Sequence, residues 1–533
     1  MTTKTQKEAF MNPQFPSTRR RLAVLVTVTA LAFAGLGVTG SVGAVITVEA
    51  SVMTWLDAVS PAIAIDQSNN CMGGASDAVA YRNDRIVLRS SALNNSVKSS
   101  VNGVLDTMYV TPNVDYIGAG PIERITFPPP PSGPKFVDVL SVPLLPRSNG
   151  QPHDILRLAR KLRESHIPAS PDYAVASSNH NSFYQPHGSP RWVAAPTPPR
   201  INTIPATAPA NVGLPIGTGV KFEIYDTGLA PKTPGQLPTT TKLSNTDNEL
   251  VNRTLTLNDP LLVDYPHAGH GTAIAGVISI IAPGATIQEV RINDRDGLAT
   301  DVSAARGMAS SLRTLSLANY PNIIINAFAT AVCDLDPTHP NFGPLQPIGL
   351  EAVVEVVDRF DPVRPGGMLI VASAGNMSSR RPHYPAAFTS VLSVGALDGN
   401  IDTDLSPWSS ASKTAPIADF SNRGSWVEVY GVGVSLPTSH LNGVRLEPFE
   451  TIFSGAAEVD GTSFAGPAVG GTIAERMSTS GRRARDASVD LINGGKAPLP
   501  QCGTTKTETG KAIVLSNLLD PITASSAVQP TTC

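Results

Sequence analysis

Val220-Lys221-Phe222-Glu223-Ile224-Tyr225-Asp226-Thr227-Gly228 reads as a strand that stops on a carboxylate and turns through a threonine and a glycine. Strands and helices alternate downstream of it. Apolar spacing predicts helices over 271–280, 302–315 and 350–360, and strands over 286–292, 323–327, 368–373 and 391–396. Such alternation predicts an α/β fold, a mostly parallel sheet covered by helices on both faces in three α/β/α layers. Reactive groups in such sheets collect where strands end and the chain crosses over. Asp226 stands at such an end.

A carboxylate there can hold an imidazole in one tautomer and stabilise its positive charge; the structural reading is a strand-ending Asx turn. The candidate imidazole is His270 in Gly269-His270-Gly271-Thr272-Ala273-Ile274-Ala275-Gly276, where small residues open a helix that can pack closely on the sheet. His267, three residues earlier, invites a zinc reading, but no glutamate follows it to give the H-E-x-x-H spacing. Gly461-Thr462-Ser463-Phe464-Ala465-Gly466-Pro467 leads a serine into a second small-residue helix, with Pro467 expected in its first turn. A serine at a helix start is commonly only a cap. It also places its hydroxyl at the positive end of the helix, where a nearby base can make it a nucleophile. Ser373-Ala374-Gly375-Asn376 ends a further strand, and the Asn376 amide is a candidate donor to an oxyanion.

Together, Tyr225-Asp226-Thr227-Gly228, Gly269-His270-Gly271-Thr272, Ala374-Gly375-Asn376 and Gly461-Thr462-Ser463 resemble the subtilisin-like (subtilase, S8) serine peptidases, whose chain order is Asp, His, Ser. Sedolisins carry a glutamate where His270 stands. The similarity continues through Tyr384-Pro385-Ala386-Ala387, Asp419-Phe420-Ser421-Asn422 and Gly510-Lys511-Ala512-Ile513, and so covers about 217–520. The resemblance implies a subtilisin-like fold and a serine endopeptidase. It makes Ser463 the nucleophile, His270 the base, Asp226 its orienting carboxylate and Asn376 the oxyanion donor. It assigns peptide-substrate pairing to Asn326-Ala327-Phe328-Ala329-Thr330, where Thr330 replaces a glycine usual in the family and should reshape the specificity pocket. Ala273 replaces a usual histidine. The chain runs from Ile280 directly to Ala282-Pro283-Gly284 without the family's calcium loop, so no cofactor is expected at that position, a calcium site elsewhere being the other reading. Insertions fall around 401–416 and 440–456. An esterase using the same residues is a further reading, and a pseudoprotease acting as an envelope scaffold is the alternative from another class.

Upstream, 45–185 reads as a small α+β domain. Strands are expected over 86–88, 135–144 and 173–175, with a helix over 154–166 capped by Asp154. It loosely resembles a subtilisin propeptide, an intramolecular inhibitor in that family; a permanent accessory domain is the other reading. A proline-rich linker is expected over 186–216 and a tail over 521–533. Residues 1–44 show basic, apolar and small-residue parts in signal-peptide order, with cleavage after Ala34 or Ala44; an uncleaved anchor is the other reading, and would be the chain's one membrane contact. Both imply a secreted or envelope location. Cys71, Cys333, Cys502 and Cys533 are even in number, as disulfides in an exported protein require, with the pairing open. A net charge of -3 and 5% aromatic residues give no electrostatic case for nucleic acid, while 41% apolar residues suffice for a large core. The expected partners are protein or peptide substrates.

Overall fold

A computed structural model describes residues 63–66, 79–111, 114–117, 121–177, 192–194, 216–229, 261–263, 267, 269–293, 297–332, 344–397, 417–446, 452–494 and 511–512. All lie within one compact unit, Ala62–Cys533. The four cysteines, 1–44, 401–416 and 521–533 fall outside the described residues.

The elements run β1 (Ile63–Asp66), β2 (Val79–Arg89), α1 (Asn94–Tyr109), β3 (Glu123–Ile125), β4 (Val139–Pro143), α2 (Ile155–Glu164), β5 (Ala169–Ser177) and β6 (Trp192–Ala194). There follow β7 (Lys221–Asp226), β8 (Leu261–Val263), α3 (His270–Ile281), β9 (Thr286–Arg291), β10 (Leu298–Thr300), α4 (Asp301–Thr314), β11 (Ile323–Asn326) and β12 (Phe328–Ala331). The chain continues through α5 (Ile348–Phe360), β13 (Leu369–Ser373), β14 (His383–Tyr384), β15 (Leu392–Leu397), β16 (Val429–Val432), β17 (Leu436–Leu446) and β18 (Ile452–Val459), then α6 (Thr462–Ser480), α7 (Ala484–Gly494) and β19 (Lys511–Ala512).

Among the described residues, a seven-stranded sheet has the order β19-β16-β15-β13-β11-β7-β9, and its pairings are parallel. Both of its faces are buried, as the near-continuous apolar strands require. Ile323, Ile325, Leu369 and Val371 turn toward α3, α6 and α7. Their neighbours Ile324 and Ile370 turn toward α4 and α5. The sequence expectation of an α/β/α sandwich describes this arrangement, with helix and strand ends shifted by a residue or two.

The expected strand over 135–144 is confined to Val139–Pro143; Phe136 stacks on Phe360 of α5 at 6.4 Å, which draws the preceding segment away from the sheet. Helix α1 was not anticipated, although Val97, Val101, Leu105 and Met108 form its buried stripe. Asp154 does cap α2, accepting from the Arg157 N–H at 3.0 Å. Pro467 lies in the second turn of α6, since the helix starts at Thr462. Trp192–Ala194, within the expected linker, pairs with β18 in a four-stranded sheet, β6-β18-β17-β8.

The N-terminal region joins the rest through β5. Its first half pairs with β2, Tyr81 opposite Tyr173 and Leu88 opposite Ala169. Its second half runs antiparallel to β10, Ala176 opposite Leu298 and Ala174 opposite Thr300. On the other side it runs antiparallel to β12, Ser177 opposite Phe328 and Ala176 opposite Ala329. One strand therefore serves two parts of the chain.

Candidate active site

Three element ends carry the candidate residues. The first is the end of β7. Asp226 is fully buried, and its Oδ1 accepts from the Thr227 N–H at 2.8 Å and lies 2.7 Å from His270 Nδ1. Its backbone carbonyl accepts from the N–H groups of Ile292 and Asn293, which fixes the strand end.

The second end is the start of α3. Gly269 takes φ 85°, a left-handed turn open to glycine, and delivers His270 as the first helical residue. His270 is also fully buried. The Gly271 N–H reaches Thr227 Oγ1 at 3.2 Å, tying helix start to strand end. Thr438 Oγ1 of β17 donates to the Ala273 carbonyl at 2.6 Å, holding the helix from the opposite side.

The third end is the start of α6. Ser463 is buried at its first turn, with its Oγ 3.4 Å from the Ala327 carbonyl oxygen. The Phe464 ring lies 5.4 Å from the His270 ring, so the serine's helix and the histidine's helix meet at this point. Asn376 accepts through Oδ1 from the Thr462 N–H at 2.9 Å and from Thr462 Oγ1 at 2.8 Å, which brings its amide to the start of α6. Asn422 braces that turn: its Nδ2 donates to the Ala374 carbonyl at 2.8 Å and its Oδ1 accepts from the Met377 N–H at 3.0 Å.

Asp226, His270, Asn376 and Ser463 are thus brought to one place, and of 326–330 the backbone from Ala327 to Ala329 lies against Ser463 and β5. Thr330 pairs instead with Tyr384 of β14. Asn326 is buried at the end of β11. His267 packs edge-on to His270 at 6.2 Å. Among the described residues no three His, Cys, Asp or Glu side chains converge as a metal site would need.

Two buried groups near His270 escaped the sequence reading. His440 of β17 is fully buried; burial, and then the neighbouring His270, push its pKa down to about 3, so it is neutral. It lies where an insertion was expected, and a lone histidine in a strand carries no local signal. Glu289 of β9 is also buried. Its Oε1 accepts from the Gly228 N–H at 2.6 Å. Desolvation, followed by the charge of Asp226, raises its pKa well above the usual carboxylate range. Glu289 shares the inward face of β9 with Ile287, which in sequence marks it as buried but not as a neighbour of His270.

The model of the subtilase family, peptidase S8, matches residues 217–488, just over half of the chain. Subtilisin DY of Bacillus licheniformis is 25% identical over 275 residues, covering 49% of this chain and 78% of its own. Subtilisin BL of Lederbergia lenta is 26% identical over 283 residues, covering 51% and 81%. A thermophilic serine proteinase of Bacillus sp. strain AK1 is 28% identical over 243 residues, covering 42% and 48%. On the family match and the convergence of strand and helix ends just described, the chain belongs to the subtilase family of serine peptidases.

Proposed function

We propose that Ser463, His270 and Asp226 form the catalytic triad of an extracytoplasmic endopeptidase, with Asn376 as oxyanion donor. The observation that carries the reading is the buried 2.7 Å contact between Asp226 Oδ1 and His270 Nδ1, set beside the start of the helix that bears Ser463. Ser463 Oγ adds to the scissile carbonyl while its proton passes to His270 Nε2. The resulting oxyanion accepts from the Asn376 amide and the Ser463 N–H. Collapse expels the amine, which takes the proton from His270 and leaves an acyl-serine. Water, deprotonated by His270, then hydrolyses the ester and restores Ser463. Asp226 keeps the imidazole in the required tautomer and offsets its charge throughout.

The natural occupant of the cleft before activation is the chain itself. Ala174–Ser177 lies between β10 and β12 in the extended form a peptide substrate would take. Ser177 pairs with Phe328, next in chain to the Ala327 carbonyl that Ser463 touches. This register supports self-cleavage after Ser177, with 79–177 acting as an intramolecular inhibitor until it leaves. The signal-like residues 1–44 support export.

A fluorophosphonate probe on the purified full chain tests the reading. The wild type should be labelled and hydrolyse casein, Ser463→Ala should do neither, and the matured N-terminus should begin at Ser178. A wild type that stays unlabelled after 79–177 has been removed would point to a binding scaffold instead, and labelling that survives Ser463→Ala would dismiss Ser463 as nucleophile.

A further inference from the structure

A second carboxyl group lies behind the Asp226–His270 pair, and the reaction as written gives it nothing to do. Glu289 sits on β9, beside β7, in a parallel register that sets it opposite Ile224 and sets Arg291 opposite Asp226. Its side chain is 1% exposed. The Oε1 atom holds the N–H of Gly228, in the turn that follows Asp226. The same carboxyl lies against the first turn of α3. A methyl group on Gly271 would meet Glu289 Oε1 at 2.0 Å and the Gly228 carbonyl oxygen at 2.7 Å, so position 271 must be glycine to admit both. Strand β9, the Asp226 turn and the residue after His270 therefore touch one another through a single carboxyl group.

We propose that Glu289 is a positioning residue of the proteolytic centre: its carboxyl ties the turn that carries Asp226 to the helix end that carries His270, and so fixes how the two meet. The proposal rests on the triad reading and adds a residue to it. The chemistry suits an anchor rather than a charge. A buried glutamate beside an ionised aspartate is favoured in its neutral, protonated form, because burial and the like charge both oppose a second anion. A neutral acid still accepts from the Gly228 N–H, and it leaves Asp226 as the charge that faces the imidazole. Asp226 is the ionised group that acts on it, and Arg291 of its own strand is engaged elsewhere, its Nε donating to the Asn293 carbonyl.

Glu289→Leu, Glu289→Asp and Glu289→Gln in the full chain test the assignment, with the fluorophosphonate probe counting active sites. Leucine removes the acceptor at similar volume, and aspartate withdraws it by one methylene. Displacing a catalytic pair by a fraction of an ångström costs one to two orders of magnitude, so Glu289→Leu should lose about 30-fold and Glu289→Asp about 10-fold in kcat, with KM changed less than about 2-fold. Glutamine restores the acceptor without a charge. It should return kcat to within about 3-fold of wild type and leave the acid limb of kcat/KM, which follows the imidazole, where it was. Wild-type kcat in Glu289→Leu overturns the proposal. If that variant does not fold, wild-type kcat in Glu289→Asp overturns it equally. An acid limb displaced to lower pH in Glu289→Gln also overturns it, because the carboxyl would then act as a charge on His270. A wild type without label at Ser463 overturns the triad reading itself; a labelled wild type beside an unimpaired Glu289→Leu defeats the Glu289 assignment alone.

Discussion

Two regions of the molecule each bury a pair of carboxyl groups, and they use them differently. At the end of β7, Asp226 and Glu289 lie on neighbouring strands, with an imidazole 2.7 Å from the first and a backbone N–H on the second. At the seam where β5 meets α4 and α5, Asp172 and Asp301 are likewise fully buried. Here both serve helix starts. Asp172 accepts from the Val302 N–H of α4 at 3.0 Å. Asp301 accepts from the Gly349 and Leu350 N–H groups of α5 at 2.8 and 2.7 Å. Burial raises Asp172 to about 6, against the pull of that N–H and of Arg85 and Arg82. Burial and then the charge of Asp172 raise Asp301 to about 8. The first pair is arranged around a proton acceptor, the second around unsatisfied helix N–H groups. The role of a buried acid follows from what accepts or donates beside it, not from its burial or its shifted pKa.

Substitutions can break that contrast. The largest effect is expected at Asp226→Asn, which keeps the shape but favours the wrong imidazole tautomer; kcat should fall about 10⁴-fold, with the melting temperature nearly unchanged. A loss of melting temperature comparable to that at the seam would erase the distinction. Asp301→Asn should do the reverse, leaving matured peptidase within a few-fold of wild type while altering how stability depends on pH. The sign follows from the raised pKa. The folded chain keeps a proton on Asp301 that the unfolded chain releases near the ordinary carboxylate value. Its stabilising contribution is complete below about pH 4 and is lost as pH rises through about 8. Melting of a Ser463→Ala chain, which keeps β5 attached, should therefore drop between pH 5 and 8.5, and Asp301→Asn should flatten that drop by a few degrees. An equal slope in both chains would remove Asp301 from the account. The smallest effect is expected for Asp172→Ala in the same background. Losing one helix cap costs about 1 kcal/mol, read as easier trypsin cleavage of 79–177 with the peptidase body still resistant.

The parts of the site visible in the sequence were those with local punctuation. Asp226, His270 and Ser463 each sit where a strand or helix boundary is marked by glycine and small residues, so backbone signals located them. Asn376 followed from Gly375 and the strand before it. Glu289 and His440 lie inside strands with no such mark, and only the register between β7 and β9 or the placement of β17 makes them neighbours of His270. The same holds for β5. A short strand was expected over 173–175, but pairing with β2 on one half and with β10 and β12 on the other depends on contacts between distant parts of the sequence, those to β10 and β12 across more than 100 residues, which periodicity does not encode. Helix α1 is poorly marked in the sequence because Ser99, Ser100, Asn102, Gly103, Asp106 and Thr107 lie among its buried Val97, Val101, Leu105 and Met108, lowering its helical signal.

The continuity of β5 has a mechanical consequence. Ala169–Tyr173 is woven into the N-terminal sheet, and Ala174–Ser177 is clamped between two edges of the peptidase body, with no hinge between them. Force applied to either half is transmitted along one extended backbone to the other. Cutting the chain after Ser177 would therefore not free the groove by itself. The last residues can leave only as the N-terminal sheet swings away or comes apart, so scission and vacating the groove would be separate events with separate barriers, the second set by the cohesion of the N-terminal sheet.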